Sequence, residues 1–210
     1  MAGGLHAFPE PVERLVRELE RLPGIGRRTA TRLAFHVLKE SNDYAEALAS
    51  AIHDVKAHIS CCGICYQLTD VEPCRICQDP ARDASIVLVV EQPGDLMTLE
   101  GTGMYRGVFH VLAGRIDPLA GIGPGDLTVP ALLDRIDDPT RNAQGVQIKE
   151  VILGLNPNLE GDSTMLFLAD ALAQRNLQVT RLARGLPSGS QLEFANTAVL
   201  ADALQGRQDL

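Results

Sequence analysis

The sequence predicts an α/β protein with an N-terminal helical region, a small four-cysteine segment, and then a mostly parallel sheet with flanking helices. Three observations predict it. Apolar residues recur at helical spacing as far as His58, and four cysteines then fall in two C-x-x-C pairs. Beyond Asp83, short β-branched runs alternate with helical stretches, the pattern of strands covered by helices on both faces. The 210 residues are 45% hydrophobic and include no Trp, so the core must be built from aliphatic side chains.

Each element follows from local chemistry. Val12, Leu15, Val16, Leu19 and Leu22 mark a helix over Pro11–Leu22, with Pro11 suited to its first turn. Pro23-Gly24-Ile25-Gly26 is a tight turn, and a second helix carries Ala30, Leu33, Ala34, Val37 and Leu38 on one face. Ser41-Asn42-Asp43 ends it. Asp43 with Glu46 reads as a capping box for a third helix running towards His58. Ile86–Val90, Val108–Leu112, Val151–Leu153 and Gln178–Leu182 read as strands. Helices are expected from Asp95, over Leu127–Ile136, over Ser163–Arg175 and over Thr197–Leu204. Residues 113–126 read as an ordered Gly/Pro loop, and Asp137–Gly145 as a polar surface excursion. The expected boundaries are 1–58 for the helical region, 59–82 for the cysteine segment, 83–183 for the sheet domain and 184–210 for a C-terminal segment.

Cys62-Gly-Ile-Cys65 and Cys74-Arg-Ile-Cys77 supply four thiolates, the donor set of a closed tetrahedral zinc site. A closed site organises structure and leaves no open position for chemistry. Cys61 is the odd cysteine, and Cys62 is preferred as ligand because its two-residue spacing mirrors the second pair. A redox motif would need only one such pair, at a helix start. There is no apolar run of membrane-spanning length, and no basic region followed by an apolar stretch at the N-terminus. A cytoplasmic location is expected, where thiols bind metal rather than pair as disulfides.

Net charge is −8, yet Arg14, Arg17, Arg21, Arg27, Arg28, Arg32 and Lys39 outnumber Glu13, Glu18 and Glu20 between Val12 and Lys39. A basic contact region is carried on an acidic body. Leu22-Pro-Gly-Ile-Gly26 followed by Arg27-Arg28 is a helix-hairpin-helix signature. Gly24 and Gly26 let a phosphate come close, the next helix offers free N–H groups, Arg28 and Arg32 project from one side, and Arg27 is expected to join them in contacting DNA. The expected ligand is the DNA backbone, bound without base readout. The plain alternative is an αα-turn with Gly at a helix end.

Glu91 follows one strand and Asn156 another, with Glu160-Gly161-Asp162 next. If those strands are neighbours, Glu91, Glu160 and Asp162 converge beyond the strand ends, where open parallel sheets bind ligands. Mg²⁺ is one use for such oxygens. Helix caps, with Asp162 an N-cap, solvent-facing acids and a partner surface are the others. His110 lies alone in a strand and reads as structural.

These residues together resemble the bacterial RecR family of recombination mediators. The resemblance rests on Leu22-Pro-Gly-Ile-Gly through Arg32-Leu-Ala-Phe-His36, the cysteine segment, Val89-Val-Glu91, Tyr105-Arg-Gly107, Gly121-Ile-Gly-Pro124, Leu155-Asn-Pro-Asn-Leu-Glu-Gly161 and Gly185-Leu-Pro187. It implies a helix-hairpin-helix, a zinc finger held by Cys62, Cys65, Cys74 and Cys77, and a Toprim-like domain. It also implies action without enzymatic activity, as a DNA clamp that helps RecO and RecF load recombinase onto single-stranded DNA. Ring-like homo-oligomers, often tetramers, are implied as well. By position, Arg28 and Arg32 match the DNA-contacting basic residues, while Glu91 and Glu160 match acidic positions used for partner contact. Catalytic Toprim domains carry Asp-x-Asp, whereas here the stretch ends Glu160-Gly-Asp162. A Mg²⁺-dependent nuclease or primase is the alternative reading.

Overall fold

A computed structural model describes residues 8–207. The first seven residues of the expected helical region and the last three of the C-terminal segment lie outside the described residues. The chain divides into two units, one ending at Ile59 and the other beginning at Ser60.

In the first unit, α1 (Glu10–Glu20) and α2 (Arg27–Lys39) pack around Val16, Ala30 and Ala34, with Val12, Leu15, Leu19 and Ile25 at the edge. The Leu22 carbonyl accepts from the Ile25 N–H at 3.1 Å, and Gly24 has φ +76°. Pro second and a positive-φ Gly third is the sequence such a turn demands. Leu38 departs from expectation, being 65% exposed rather than on the packed face. α3 (Asn42–His58) follows, but its cap is Ser41 and not Asp43: Ser41 Oγ accepts from the Tyr44 N–H at 3.2 Å. None of its residues is buried within this unit.

The second unit begins with a two-stranded antiparallel ribbon, β1 (Ser60–Cys61) and β2 (Leu68–Thr69), followed by the short α4 (Arg75–Gln78). The main sheet contains β3 (Asp83–Val90), β4 (Gly107–Val111), β5 (Glu150–Leu153) and β6 (Gln178–Arg181). Its order is β4-β3-β5-β6 and every pairing is parallel. Alternation along β3 sends Val87 and Val89 into one core and Leu88 and Val90 into another. The first core is closed by Leu132 and Ile136 of α6 (Val129–Asp137) and by Leu168 and Leu172 of α7 (Leu159–Leu172). The second is closed by Leu96 of α5 (Pro93–Glu100) with Phe109 and Val111. Burial on both faces is why Ile86–Val90 in β3 reads as an unbroken apolar run, whereas the edge strand β6 stays partly exposed. α8 (Thr197–Gln205) ends the described chain.

Two expectations are corrected. α7 starts at Leu159, four residues before the expected Ser163, because Asn158 Oδ1 accepts from the Gly161 N–H at 2.8 Å. Asn158 is therefore the N-cap, and Asp162 lies inside the helix. The stretch 137–145 is not wholly superficial, since Asn142 and Ala143 are buried. Asn142 Nδ2 donates to the carbonyls of Ala84 and Val146, at 2.8 and 2.6 Å, so its polarity serves the interior. Among the described residues, no helix is long and apolar enough to cross a membrane.

Candidate functional site

Cys62, Cys65, Cys74 and Cys77 come together, all four buried, with every sulfur within 4.8 Å of the others. Cys65 Sγ and Cys74 Sγ are 3.5 Å apart, and none of the cysteines forms a disulfide. A tetrahedral ion with bonds of ~2.3 Å places its sulfurs roughly 3.8 Å apart, so the donor set fits zinc. The knuckles are held by backbone bonds. Cys62 N–H donates to the Gln67 carbonyl at 2.8 Å, and Tyr66 N–H to the Cys62 carbonyl at 2.9 Å. Val111 N–H donates to the Cys65 carbonyl at 2.8 Å, stitching the first knuckle to β4. Tyr66 takes φ +63°, a conformation that side chains resist, and its ring lies 5.5 Å from that of His110. Without a metal the thiols divide their protons unevenly. Hydrogen bonds from its neighbours, Cys65 foremost, pull the Cys62 thiol down, while those with Cys62 push Cys65 and Cys77 up. A divalent ion removes that conflict by taking all four as thiolates. Cys61 is exposed and outside the cluster.

The hairpin presents a different chemistry. Gly26 caps α2 without a side chain to accept its first N–H groups, and the first turn carries no acid. The positions where Gly24 and Gly26 would bear a Cβ face open space. Arg28 and Arg32 are exposed, one helical turn apart, and in no ion pair among the described residues. Arg27 is engaged otherwise. Its Nη2 donates to both oxygens of the buried Glu13 carboxylate, at 2.9 and 2.7 Å, and its Nη1 to Glu20 at 3.1 Å. The Glu13 bonds foremost raise its pKa further. Arg27 thus braces α2 against α1. Arg17 and Arg21 likewise pair with Glu10 and Glu18, while Arg14 stays exposed.

The acidic edge is built but not gathered. β3 and β5 are neighbours, as expected, and Glu91 does stand at their carboxyl end. It is 1% exposed, and both oxygens are taken: Asn156 N–H donates to Oε1 at 2.7 Å and Asn156 Nδ2 to Oε2 at 2.9 Å. Arg115 Nη1 lies 3.7 Å from Oε2. Asp162 instead pairs with Arg184, whose hydrogen bond holds its carboxyl below the usual range. Glu160 is half-buried in the first turn of α7. Among the described residues only the four cysteines cluster closely enough to share an ion, so Glu91, Glu160 and Asp162 do not converge into a Mg²⁺ set, one of the uses considered for them. The basic partners Arg115 and Arg184 were not foreseen, and their separation from the acids in sequence left no local signal. His110 is structural, as expected. Burial foremost, and then the charge of Arg135, push its pKa down to about 3, and its Nε2 faces Thr128 Oγ1 at 3.0 Å.

Comparison with known proteins agrees with this geometry. Residues 12–56 match the family model for the RecR helix-hairpin-helix, and residues 85–183 match that for the Toprim domain. Recombination protein RecR of Rhodopirellula baltica is 50% identical over 199 residues, covering 95% of this chain and 96% of its own. That of Koribacter versatilis is 43% identical over 203 residues, covering 97% and 98%. That of Myxococcus xanthus is 46% identical over 202 residues, covering 96% and 99%.

Proposed function

We propose, because this chain belongs to the RecR family of recombination proteins, that it acts in recombinational DNA repair as a DNA-binding clamp without catalytic turnover. The observation that carries the clamp reading is the hairpin. The uncapped N-terminus of α2, the open approach at Gly24 and Gly26, and the unpaired Arg28 and Arg32 together suit phosphate oxygens. Such contacts hold any sequence equally, because phosphates carry no base identity. Arg27 sets the angle of the hairpin rather than meeting DNA.

The four cysteines hold one structural zinc per chain. The protein works in the cytoplasm with RecO and RecF, and Glu160 and Asp162 offer them an acidic face on the Toprim-like domain. The segments 1–58, 59–82, 83–183 and 184–210 divide these tasks. Self-association into a tetrameric ring is favoured by the apolar stripe Tyr44, Leu48, Ile52 and Val55, which α3 leaves exposed at helical spacing. A nuclease or primase is disfavoured because Glu91 is already bonded by Asn156 and Asp162 by Arg184.

Salt titration of DNA binding tests the clamp. Arg28→Ala with Arg32→Ala lowers affinity for all sequences alike and flattens the log–log salt slope by about 1.5 to 2, one phosphate per arginine. An unchanged slope refutes the assignment.

A further inference from the structure

Arg135 lies in the last turn of α6, yet only 1% of it reaches solvent. A guanidinium stays charged at any working pH. In the interior it needs a counter-charge, since a bare buried cation is among the costliest defects a fold can carry. Its hydrogen-bond partners are all neutral. Nε donates to Asn142 Oδ1 at 2.8 Å, and Nη1 to the Phe109 carbonyl at 2.7 Å, with the Ile64 carbonyl at 3.5 Å. Among the described residues Nη2 has no hydrogen-bond partner, and no carboxylate forms an ion pair with Arg135. His110, which feels its charge, is neutral.

Arg135 reaches the cysteine knuckle through the backbone. Ile64, whose carbonyl it reaches, lies between Cys62 and Cys65. Once ionised by a bound metal, Cys77, Cys65 and Cys62 would offset in part the burial that lowers the Arg135 pKa. A divalent ion bound by four thiolates carries a net charge of 2 − 4 = −2, here sealed from water. The Cys74 N–H, 3.4 Å from Cys62 Sγ, takes up part of it.

We propose that Arg135 is the built-in counter-cation of the metal–tetrathiolate centre, supplied by the sheet domain across the first knuckle. It is a positioning residue. It balances the negative charge the metal-bound centre would carry and ties the knuckle to β4 through the carbonyls of Ile64 and Phe109, while Asn142 fixes its orientation. This rests on the metal reading above and adds a direction of coupling. Loss of the metal strands a buried cation, so α6 loosens together with the knuckle.

The test is the Zn²⁺ affinity of the full chain by chelator competition, for wild type, Arg135→Gln and Arg135→Lys. Gln keeps a polar group without charge, and Lys keeps charge with fewer donors. Arg135→Gln should bind Zn²⁺ roughly 10- to 100-fold more weakly, with Arg135→Lys within about threefold of wild type. Equal weakening of both, or no weakening with Gln, overturns the proposal, as does failure of both to fold. If only the Gln variant fails to fold, Lys decides: near-wild-type affinity supports the counter-cation, and a loss of about tenfold or more overturns it. A wild-type chain that takes up no Zn²⁺ defeats the metal reading itself, whatever the variants do.

Discussion

Gly161→Ala probes the junction at the carboxyl end of the sheet. A Cβ on Gly161 would stand 2.0 Å from the Asn156 carbonyl oxygen and 3.0 Å from Glu91 Oε1. The carbonyl cannot simply turn away, because it also accepts from the Asn158 N–H at 2.9 Å. The loop over residues 156–158 must shift, and the two bonds from Asn156 to the buried Glu91 carboxylate lengthen or break. Hydrogen bonds to a charged group contribute about 1.5 to 3 kcal/mol each, so disturbing the pair costs about 3 kcal/mol. Ala in a helix recovers about 1 kcal/mol relative to Gly. The net is a destabilisation of about 2 kcal/mol, or about 4–8 °C in Tm for a chain of this size. Thermal and urea unfolding measure it. Gly125→Ala is the control, because that Cβ meets nothing within 4 Å, and its change should stay within about 0.5 kcal/mol. If Gly161→Ala matches the control, the close approach of α7 to Glu91 is wrong.

Two further outcomes concern the interior of the second unit. Stripping the metal with a chelator under reducing conditions should lower its Tm sharply, since thiolate–zinc sites contribute on the order of 10 kcal/mol to small metal-held folds; an unchanged melting curve argues against a structural ion. His110 has a folded pKa of about 3 against 6.5 for the free group. Between those values the unfolded chain binds a proton that the folded chain refuses, so stability falls as pH drops through that window. Denaturation midpoints at pH 6.5 and 5.5 should show about 1 kcal/mol lost in the wild type and recovered in His110→Gln. An identical pH slope in the two proteins counts against a buried neutral imidazole.

Legibility in the sequence tracked the range of the interaction. The turn at Leu22–Gly26 was readable because its geometry is decided by Pro23 and Gly24 themselves. The cysteine pairs were readable because a knuckle closes within four residues. The central strands β3 and β4 were readable from composition, because burial on both faces leaves few polar positions along Ile86–Val90 and Val108–Val111. Failures began where a distant partner decides. Arg27, grouped with Arg28 as an expected DNA contact, is bonded by Glu13 in another helix, which spacing alone does not reveal. Glu91, Glu160 and Asp162 looked convergent, but Asn156 and Arg184 divide them. The start of α7 was misplaced because Asn158, in a run of turn formers, was not recognised as the cap. Arg135 did leave a trace: it sits three residues after Leu132, on the face of α6 that should be apolar.

The sequence by itself determined the order of parts, a basic hairpin, then two matched pairs of cysteines, then a parallel sheet. These depend on spacing, periodicity and turn chemistry, which act over a few residues. Only the tertiary structure decided which charges remain available. Among the described residues Arg28 and Arg32 stay unpaired while Arg27 does not, and Glu91 is bonded in the interior while Arg135 lies buried without a carboxylate partner. The reason is physical: burial and pairing set what a charge can do, and both depend on neighbours brought together by folding.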